Sequence, residues 1–371
     1  MDTGMTGQDK PRTTDESGKK TLLIMAGGTG GHVYPALAVA EAWGASGHPV
    51  IWMGTRSGIE ARVVPPTGIE VEWLDVSGIR GKGWRGIARA PFMLLRALWQ
   101  SARILRRVKP DVVLGMGGFV SGPGGLMARL MGIPLVLHEQ NRVPGTTNRW
   151  LAGMASRVLE AFPDSFPPGV KAVCTGNPLR QTIGRVQQTA RKDGEACRIL
   201  ILGGSLGARV LNEQIPDALA RLGIAVKIRH QTGAGRCDET RDRYAELRLA
   251  AQVDAFIEDM AAVYAWADLV ICRAGAMTVS ELAAAGLPSV LIPFPYAIDD
   301  HQTLNARYFS EAGAALLLPQ TELTSERLAA ILESLCRDRK RLEQMGQAAR
   351  NLARPDATAA VVDICMTEAE P

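Results

Sequence analysis

Apolar residues in this chain gather into short unbroken runs, each followed by a glycine-bearing turn and then a stretch with helical spacing. Thr21–Ala26, Val50–Met53, Val112–Gly115 and Pro134–His138 are such runs. Consecutive apolar positions over this length predict strands covered on both faces, as in parallel sheets. The intervening helical stretches would supply that cover. Between the first run and its helix lies Gly27-Gly28-Thr29-Gly30-Gly31-His32, with Pro35 just beyond. Proline suits a helix's first turn, where its missing N–H would have no partner anyway.

The pattern then restarts. Arg198–Leu202 predicts another buried strand, followed by the turn GGSLGA. Ala225–Gln231, Val253–Phe256, Leu269–Cys272 and Ser289–Pro293 continue it. A boundary is expected near Gly176–Thr189, dividing residues 20–180 from residues 181–355. Residues 1–19 are polar and are expected to form a disordered extension. The closing segment, residues 356–371, holds a short apolar helix expected to cross back onto the first domain. The predicted class is α/β, with two Rossmann-like, doubly wound parallel-sheet domains facing a cleft. Ligands of such sheets sit beyond the strands' carboxyl ends, so the turns named here should line that cleft.

Composition narrows the function classes. A chain of 371 residues is comfortable for two domains, and 46% apolar with 22% charged residues excludes a disordered protein. A net charge of +4 is too small to call for nucleic acid. The six cysteines show no CxxC pairing, which suits a reducing cytoplasm and no metal site. No apolar signal segment precedes the first strand. The uncharged stretches Val112–Ala128 and Leu282–Ile298 are broken by Gly or Pro and read as strand, loop and helix, not as membrane spans.

Several turns carry candidate chemistry. Gly27–His32 either receives an anion at a helix start or simply allows tight packing. His32 is either a titrating group whose pKa the helix start depresses or a structural hydrogen-bond partner. Arg273 to Glu281 puts a small-residue turn, two hydroxyls and a carboxylate within about one helical turn. Glu281 could accept both hydroxyls of a ribose or serve as an ordinary capping acid. His138-Glu139-Gln140-Asn141 sets four polar side chains at a strand's end, and Asp299-Asp300-His301-Gln302 with Asn305 forms a comparable cluster.

From Val76 to Pro110 there is no acidic residue. Phe92, Leu95, Leu98 or Trp99, Ala102 and Leu105 recur at helical spacing and are expected to pack on the sheet. Arg80, Lys82, Trp84, Arg85 and Ile87 precede that stripe. They are expected in a loop and short helix that touch an anionic lipid surface.

Taken in order, GGTGGHVYPALAVA, SGIRGKG, PDVVLGMGGFVSGPGG, HEQN, GNPLR, GGSLGA and CRAGAMTVSELAAAGLP resemble the MurG family from about Lys20 to Asp356. These are UDP-N-acetylglucosamine:undecaprenyl-diphospho-muramoyl-pentapeptide N-acetylglucosaminyltransferases. The resemblance implies the glycosyltransferase B fold and inverting transfer of N-acetylglucosamine to the muramic acid 4-hydroxyl of the lipid-linked precursor. It places Thr29, Gly30, Gly31 and His32 at the acceptor diphosphate and sugar. Asn141, Arg180 and Ser205 fall at donor contacts, and Ile257 at the uracil. Ala276, Met277, Thr278, Val279, Ser280 and Glu281 fall at the nucleotide turn, and His301 and Gln302 at the donor sugar. His32 is the first candidate for the base and Glu139 the second. No metal or other cofactor is expected, since no Asp-x-Asp follows a strand.

The resemblance also implies a peripheral position on the cytoplasmic face of the inner membrane, with other cell-wall synthesis or division proteins as partners. The chain departs from the family at Leu206, where glutamine is common, and the 295–302 loop varies. Three rivals differ in class. A dehydrogenase would want a spaced GxGxxG and an acid about 20 residues on. A UDP-sugar epimerase leaves the basic aromatic segment unexplained, and a lipid-binding module leaves the nucleotide turn unexplained.

Overall fold

The computed structural model describes residues 18–75, 84–189, 194–204 and 207–370, with the backbone alone over 84–90. Arg80, Lys82, Ser205, Leu206 and most of the 1–19 extension lie outside the described residues, as do the side chains of Trp84, Arg85 and Ile87.

Seven strands form the first sheet: β1 (Leu22–Ala26), β2 (Val50–Gly54), β3 (Glu70–Trp73), β4 (Val112–Gly117), β5 (Leu135–Glu139), β6 (Arg157–Glu160) and β7 (Ala172–Cys174). Their order is β3-β2-β1-β4-β5-β6-β7, parallel throughout. The second sheet has β8 (Cys197–Leu202), β9 (Val226–Gln231), β10 (Ala251–Asp254), β11 (Leu269–Cys272), β12 (Ser289–Leu291) and β13 (Ala315–Leu317), in the order β10-β9-β8-β11-β12-β13. It too is parallel throughout.

The unbroken apolar runs have the predicted cause: β1 is fully buried at all five positions, and β8 at all six. The runs for β3, β6 and β13 are too short or too polar to stand out in sequence. β10 ends two residues earlier than expected.

Each sheet reverses its strand order once, between β1 and β4 in the first and between β8 and β11 in the second. A crevice opens at such a point because the two flanking turns leave in opposite directions. Helix α1 (Gly30–Ala45) follows β1, α2 (Trp84–Val108) precedes β4, α3 (Ala276–Ala285) follows β11, and α4 (His301–Glu311) follows β12. The last helix, α5 (Ala357–Glu368), buries Val361 and Cys365 in the core under the first sheet. There it packs on α1 and β4.

Two expectations are corrected here. Helix α1 starts at Gly30, so Pro35 lies inside it and not in its first turn. Helix α2 is continuous over 25 residues and runs through Pro91, instead of starting after it. Its predicted stripe divides: Ala102 and Leu105 are buried, whereas Phe92, Leu95 and Trp99 are 79%, 64% and 62% exposed. A second face, Ala97, Ser101, Ile104 and Leu105, takes the packing instead. Small residues at 97 and 101 let a helix approach closely, so burial follows them and the bulky stripe turns outward. Among the described residues no helix is long and apolar enough to cross a membrane.

Candidate active site

The first crevice is shaped by two glycines at the end of β4. Register slips by one residue between Met25 and Ala26, pairing Ala26 with Gly117. Gly117 and Gly118 then take φ of 105° and 86°, which side chains of L-residues rarely adopt. A Cβ on Gly118 would collide with the Gly27 carbonyl oxygen. One on Gly117 would stand 3.1 Å from His32 Nε2, so glycine there keeps that edge of the imidazole open.

His32 Nδ1 lies 3.2 Å from the Gly27 carbonyl oxygen and 3.3 Å from Thr29 Oγ1. A carbonyl can only accept, so Nδ1 carries the proton and Nε2 keeps its lone pair toward the crevice. Burial lowers the His32 pKa and His301 lowers it further, while Glu139, the Gly27 carbonyl and Glu60 raise it. The ring is therefore neutral at pH 7, with two carboxylates placed to stabilise the cation once it forms.

Glu60, which the sequence did not single out, holds this loop from beneath. It is fully buried and accepts the Gly28 N–H at 2.9 Å, the Thr55 N–H at 3.0 Å and the Thr55 hydroxyl at 2.7 Å. Thr29 caps α1 in extended conformation, its hydroxyl turned to the His32 ring and not to a backbone N–H of the helix. The first N–H groups of α1, from Gly30 and Gly31, lack intrahelical partners by position, whereas that of His32 donates to the Thr29 carbonyl at 3.2 Å.

Glu139 has a comparable task at the end of β5. Its Oε1 accepts the Asn141 N–H at 3.0 Å and Asn141 Nδ2 at 3.2 Å. Its Oε2 accepts the Gly145 N–H at 3.0 Å and Asn148 Nδ2 at 2.9 Å. Both oxygens are thus committed to folding their own loop. His138 is fully buried, bonded through Nε2 to the Gly176 carbonyl at 2.9 Å and through Nδ1 to Gln140 Nε2 at 3.0 Å. Burial brings its pKa down to about 4.

Opposite lies a cavity of about 440 Å³, within the range of small-molecule sites. It gathers Arg180, Ile257, Met277, Thr278 and Glu281 of the sequence-predicted residues. Tyr264, fully buried, donates its hydroxyl to Glu281 Oε2 at 2.8 Å. Burial raises the Glu281 pKa, against the Tyr264 hydroxyl and the nearby Arg180, which lower it. The Arg180 guanidinium sits 4.9 Å from the Tyr34 ring centroid, so α1 of the first domain also reaches this cavity. Phe256 adds an exposed aromatic face beside the buried Ile257.

Helix α3 starts at Ala276 after an extended Gly275, and its side chains divide by task. Val279 is core, and Ser280 accepts a bond from Asn177 at 3.0 Å. Met277 and Thr278 face the cavity. Gln302 Oε1 accepts the Phe294 N–H at 2.9 Å, which orients its amide. His301 starts α4 and acts on His32 across the cleft. Asn141 is not at the cavity: its side chain meets Glu139 and, at 3.4 Å, Asn305 Nδ2. Among the described residues no three His, Cys, Asp or Glu side chains are grouped as a metal set.

Two facing parallel-sheet domains, each with its crevice turned to the other, make up the glycosyltransferase B architecture. The chain belongs to glycosyltransferase family 28 and, within it, to the MurG family. It matches the family 28 N-terminal domain over residues 22–160 and the family 28 C-terminal domain over residues 198–361.

A relative from Methylococcus capsulatus is 62% identical over 353 residues, 94% of this chain and 99% of its own length. One from Azotobacter vinelandii is 53% identical over 347 residues, 93% and 98%. Both are named UDP-N-acetylglucosamine--N-acetylmuramyl-(pentapeptide) pyrophosphoryl-undecaprenol N-acetylglucosamine transferase. The crystal structure of Acinetobacter baumannii MurG superposes with a TM-score of 0.81 at 42% identity, covering 94% of this chain and 99% of that one. A putative UDP-N-acetylglucosamine 2-epimerase from Listeria monocytogenes has a TM-score of 0.64 at 13% identity, covering 93% and 95%. Its likeness is one of fold alone, so architecture by itself does not separate transferase from epimerase.

Proposed function

We propose that this chain transfers N-acetylglucosamine from UDP-N-acetylglucosamine to the muramic acid 4-hydroxyl of undecaprenyl-diphospho-muramoyl-pentapeptide, with inversion, in peptidoglycan synthesis. The observation that carries the site assignment is the opposition of two devices. An imidazole with its Nε2 lone pair open stands on one side of the cleft, and a cavity with one carboxylate oxygen tied to a tyrosine on the other.

In this reading Glu281 keeps Oε1 for the ribose hydroxyls, since Tyr264 takes Oε2. The backbone of Ile257 meets the uracil, with Phe256 against the base. Arg180 and the first N–H groups of α3, from Ala276 to Thr278, take the diphosphate, joined by Ser205. Gln302, oriented by Phe294, offers its NH₂ to the donor sugar, with His301 beside it. Thr29, Gly30 and Gly31 receive the acceptor diphosphate. The acceptor oxygen bonds to the anomeric carbon, its proton passes to His32 Nε2, and the glycosidic electron pair leaves with UDP. Of the two base candidates we retain His32. Glu139, with both oxygens accepting two bonds each, shapes its loop and stabilises the imidazolium through its charge.

Replacing Glu281 by alanine is expected to raise the donor KM by about 30-fold or more, the scale of a lost bond to a charged group, and the acceptor KM by less than about threefold. Steady-state kinetics decide this, and equal shifts would remove the ribose role. Transfer of labelled N-acetylglucosamine to a muramoyl-pentapeptide lipid, with and without a chelator, tests the activity. Epimer formed from UDP-N-acetylglucosamine alone would favour the rival chemistry.

We further infer that the chain docks peripherally on the anionic cytoplasmic surface of the inner membrane through the start of α2. The exposed Phe92, Leu95 and Trp99, with Arg103 alongside, support this reading and extend it beyond Arg80, Lys82, Trp84, Arg85 and Ile87, whereas Arg96 is ion-paired with Asp75. Aromatic and aliphatic side chains enter the interface, and each basic neighbour adds about 1 kcal/mol. The variant Phe92→Ser with Trp99→Ser should bind vesicles of anionic phospholipid at least about tenfold less tightly, the loss of two buried side chains, with UDP affinity unchanged. Sedimentation with vesicles checks this, and wild-type binding by the variant would refute it.

A further inference from the structure

Two asparagines join the same two segments of the chain. One segment is the end of β5 and the loop after it, residues 138–142; the other is the turn and helix start that follow β11, residues 274–280. Asn305, fully buried on α4, accepts the Arg142 backbone N–H at Oδ1 (2.9 Å) and donates from Nδ2 to the Ala274 carbonyl (3.2 Å). Asn177, 3% exposed, donates from Nδ2 to the Gln140 carbonyl and to the Ser280 hydroxyl, both at 3.0 Å. Three of these four bonds end on backbone atoms. They therefore fix the separation of the two main chains whatever side chains surround them. A buried amide left unpaired is costly, so the spacing is stiff.

What the two segments carry gives the spacing its meaning. The first contains Glu139, whose charge acts on His32, and the second contains Met277 and Thr278 and leads directly into Glu281, all three at the cavity. Neither Asn177 nor Asn305 lines that cavity.

We propose that Asn177 and Asn305 are positioning residues that hold the nucleotide turn at a set distance from the Glu139 loop, and thereby keep the donor's anomeric carbon in line with the base. This rests on the donor assignment above. Displacement of about 1 Å at such a distance can cost on the order of 100-fold in turnover. None of the four bonds above ends on Arg180, Ile257, Thr278 or Glu281, the groups assigned to the nucleotide, so affinity for it should be spared.

The experiment compares Asn305→Ala, Asn177→Ala and the double variant with the wild-type chain, at a temperature where circular dichroism shows all of them folded. UDP affinity is read by calorimetry and kcat by sugar transfer. Each single variant is expected to lose about 10- to 100-fold in kcat with UDP affinity within about threefold. The double variant should lose less than the product of the two, because both act on one gap. A kcat unchanged in folded variants would overturn the proposal. So would UDP affinity falling by the same factor as kcat, or losses that multiply independently. If Asn305→Ala does not fold, Asn305→Ser and Asn177→Ala carry the same comparison. Failure of the donor assignment would show separately, as UDP binding by the wild type that Glu281→Ala leaves untouched.

Discussion

Substitution of His32 by alanine is expected to lower kcat by roughly 100- to 10,000-fold, the range of a positioned general base, with little change in UDP affinity. The Nδ1 proton is committed to the Gly27 carbonyl, so the only lone pair on the ring is at Nε2. Gly117 leaves that atom open, and the ring is neutral at pH 7 because burial lowers its pKa. Two consequences distinguish a base from a structural histidine. Wild-type kcat should fall tenfold per pH unit below the depressed His32 pKa and lie flat above it. The alanine variant should lose that acid limb. His32→Gln, which can still bond to Gly27 and cannot take the proton, should be as slow as alanine. A loss under about tenfold in either variant, or an acid limb that persists, would assign the proton to another group.

Much of this arrangement was legible in the sequence because it depends on local order. A buried parallel strand must read as an unbroken apolar run, and a turn that receives a ligand at a helix start must be small. β1 with Gly27–His32, and β11 with Arg273–Glu281, could be placed by those two requirements alone. What escaped depends on contacts between distant residues. Glu60 serves Gly28, 32 residues away, and no spacing rule connects them. Asn305 and Asn177 looked like loop polarity or motif letters, and their meaning appears only once α4 and the linker cross the end of β5. Helix α2 shows a different limit. Periodicity told which residues share a face, but Phe92–Leu95–Trp99 and Ala97–Ser101–Ile104 are both faces of one helix. Only packing chose the smaller residues for the interior. In α3 a contiguous motif was resolved into separate tasks, with Val279 in the core, Ser280 on the domain joint and Glu281 at the cavity.

The same buried histidines that organise the fold should make it acid-labile well above the pH at which carboxylates protonate. His230, fully buried on β9, bonds through Nε2 to Asn212 Oδ1 at 3.2 Å and through Nδ1 to the Tyr244 hydroxyl at 3.0 Å. Asn212 Nδ2 donates in turn to the Thr232 carbonyl, which leaves its Oδ1 to accept. Nε2 therefore donates, and because burial keeps the ring neutral, Nδ1 is left to accept from the Tyr244 hydroxyl. Burial holds the His230 pKa at about 3, and that of His138 at about 4. Both titrate near 6.5 once unfolded, so between pH 6.5 and 4 the unfolded chain binds two protons that the folded chain refuses. Folded pKa values below the unfolded ones mean that stability is full above pH 6.5 and declines as pH falls. The slope approaches about 2.7 kcal/mol per pH unit from the two rings together. By pH 4.5 the loss would reach on the order of 5 kcal/mol, comparable with the whole stability of many domains. Urea unfolding followed from pH 7 to 4.5 should therefore show a midpoint that drops steeply. In His230→Gln, which can still donate to Asn212, about half of that slope should disappear while His138 keeps the rest. A midpoint independent of pH over this range would mean that neither ring is held neutral. An unaltered slope in His230→Gln would acquit His230 and leave the proton uptake to His138 and His32.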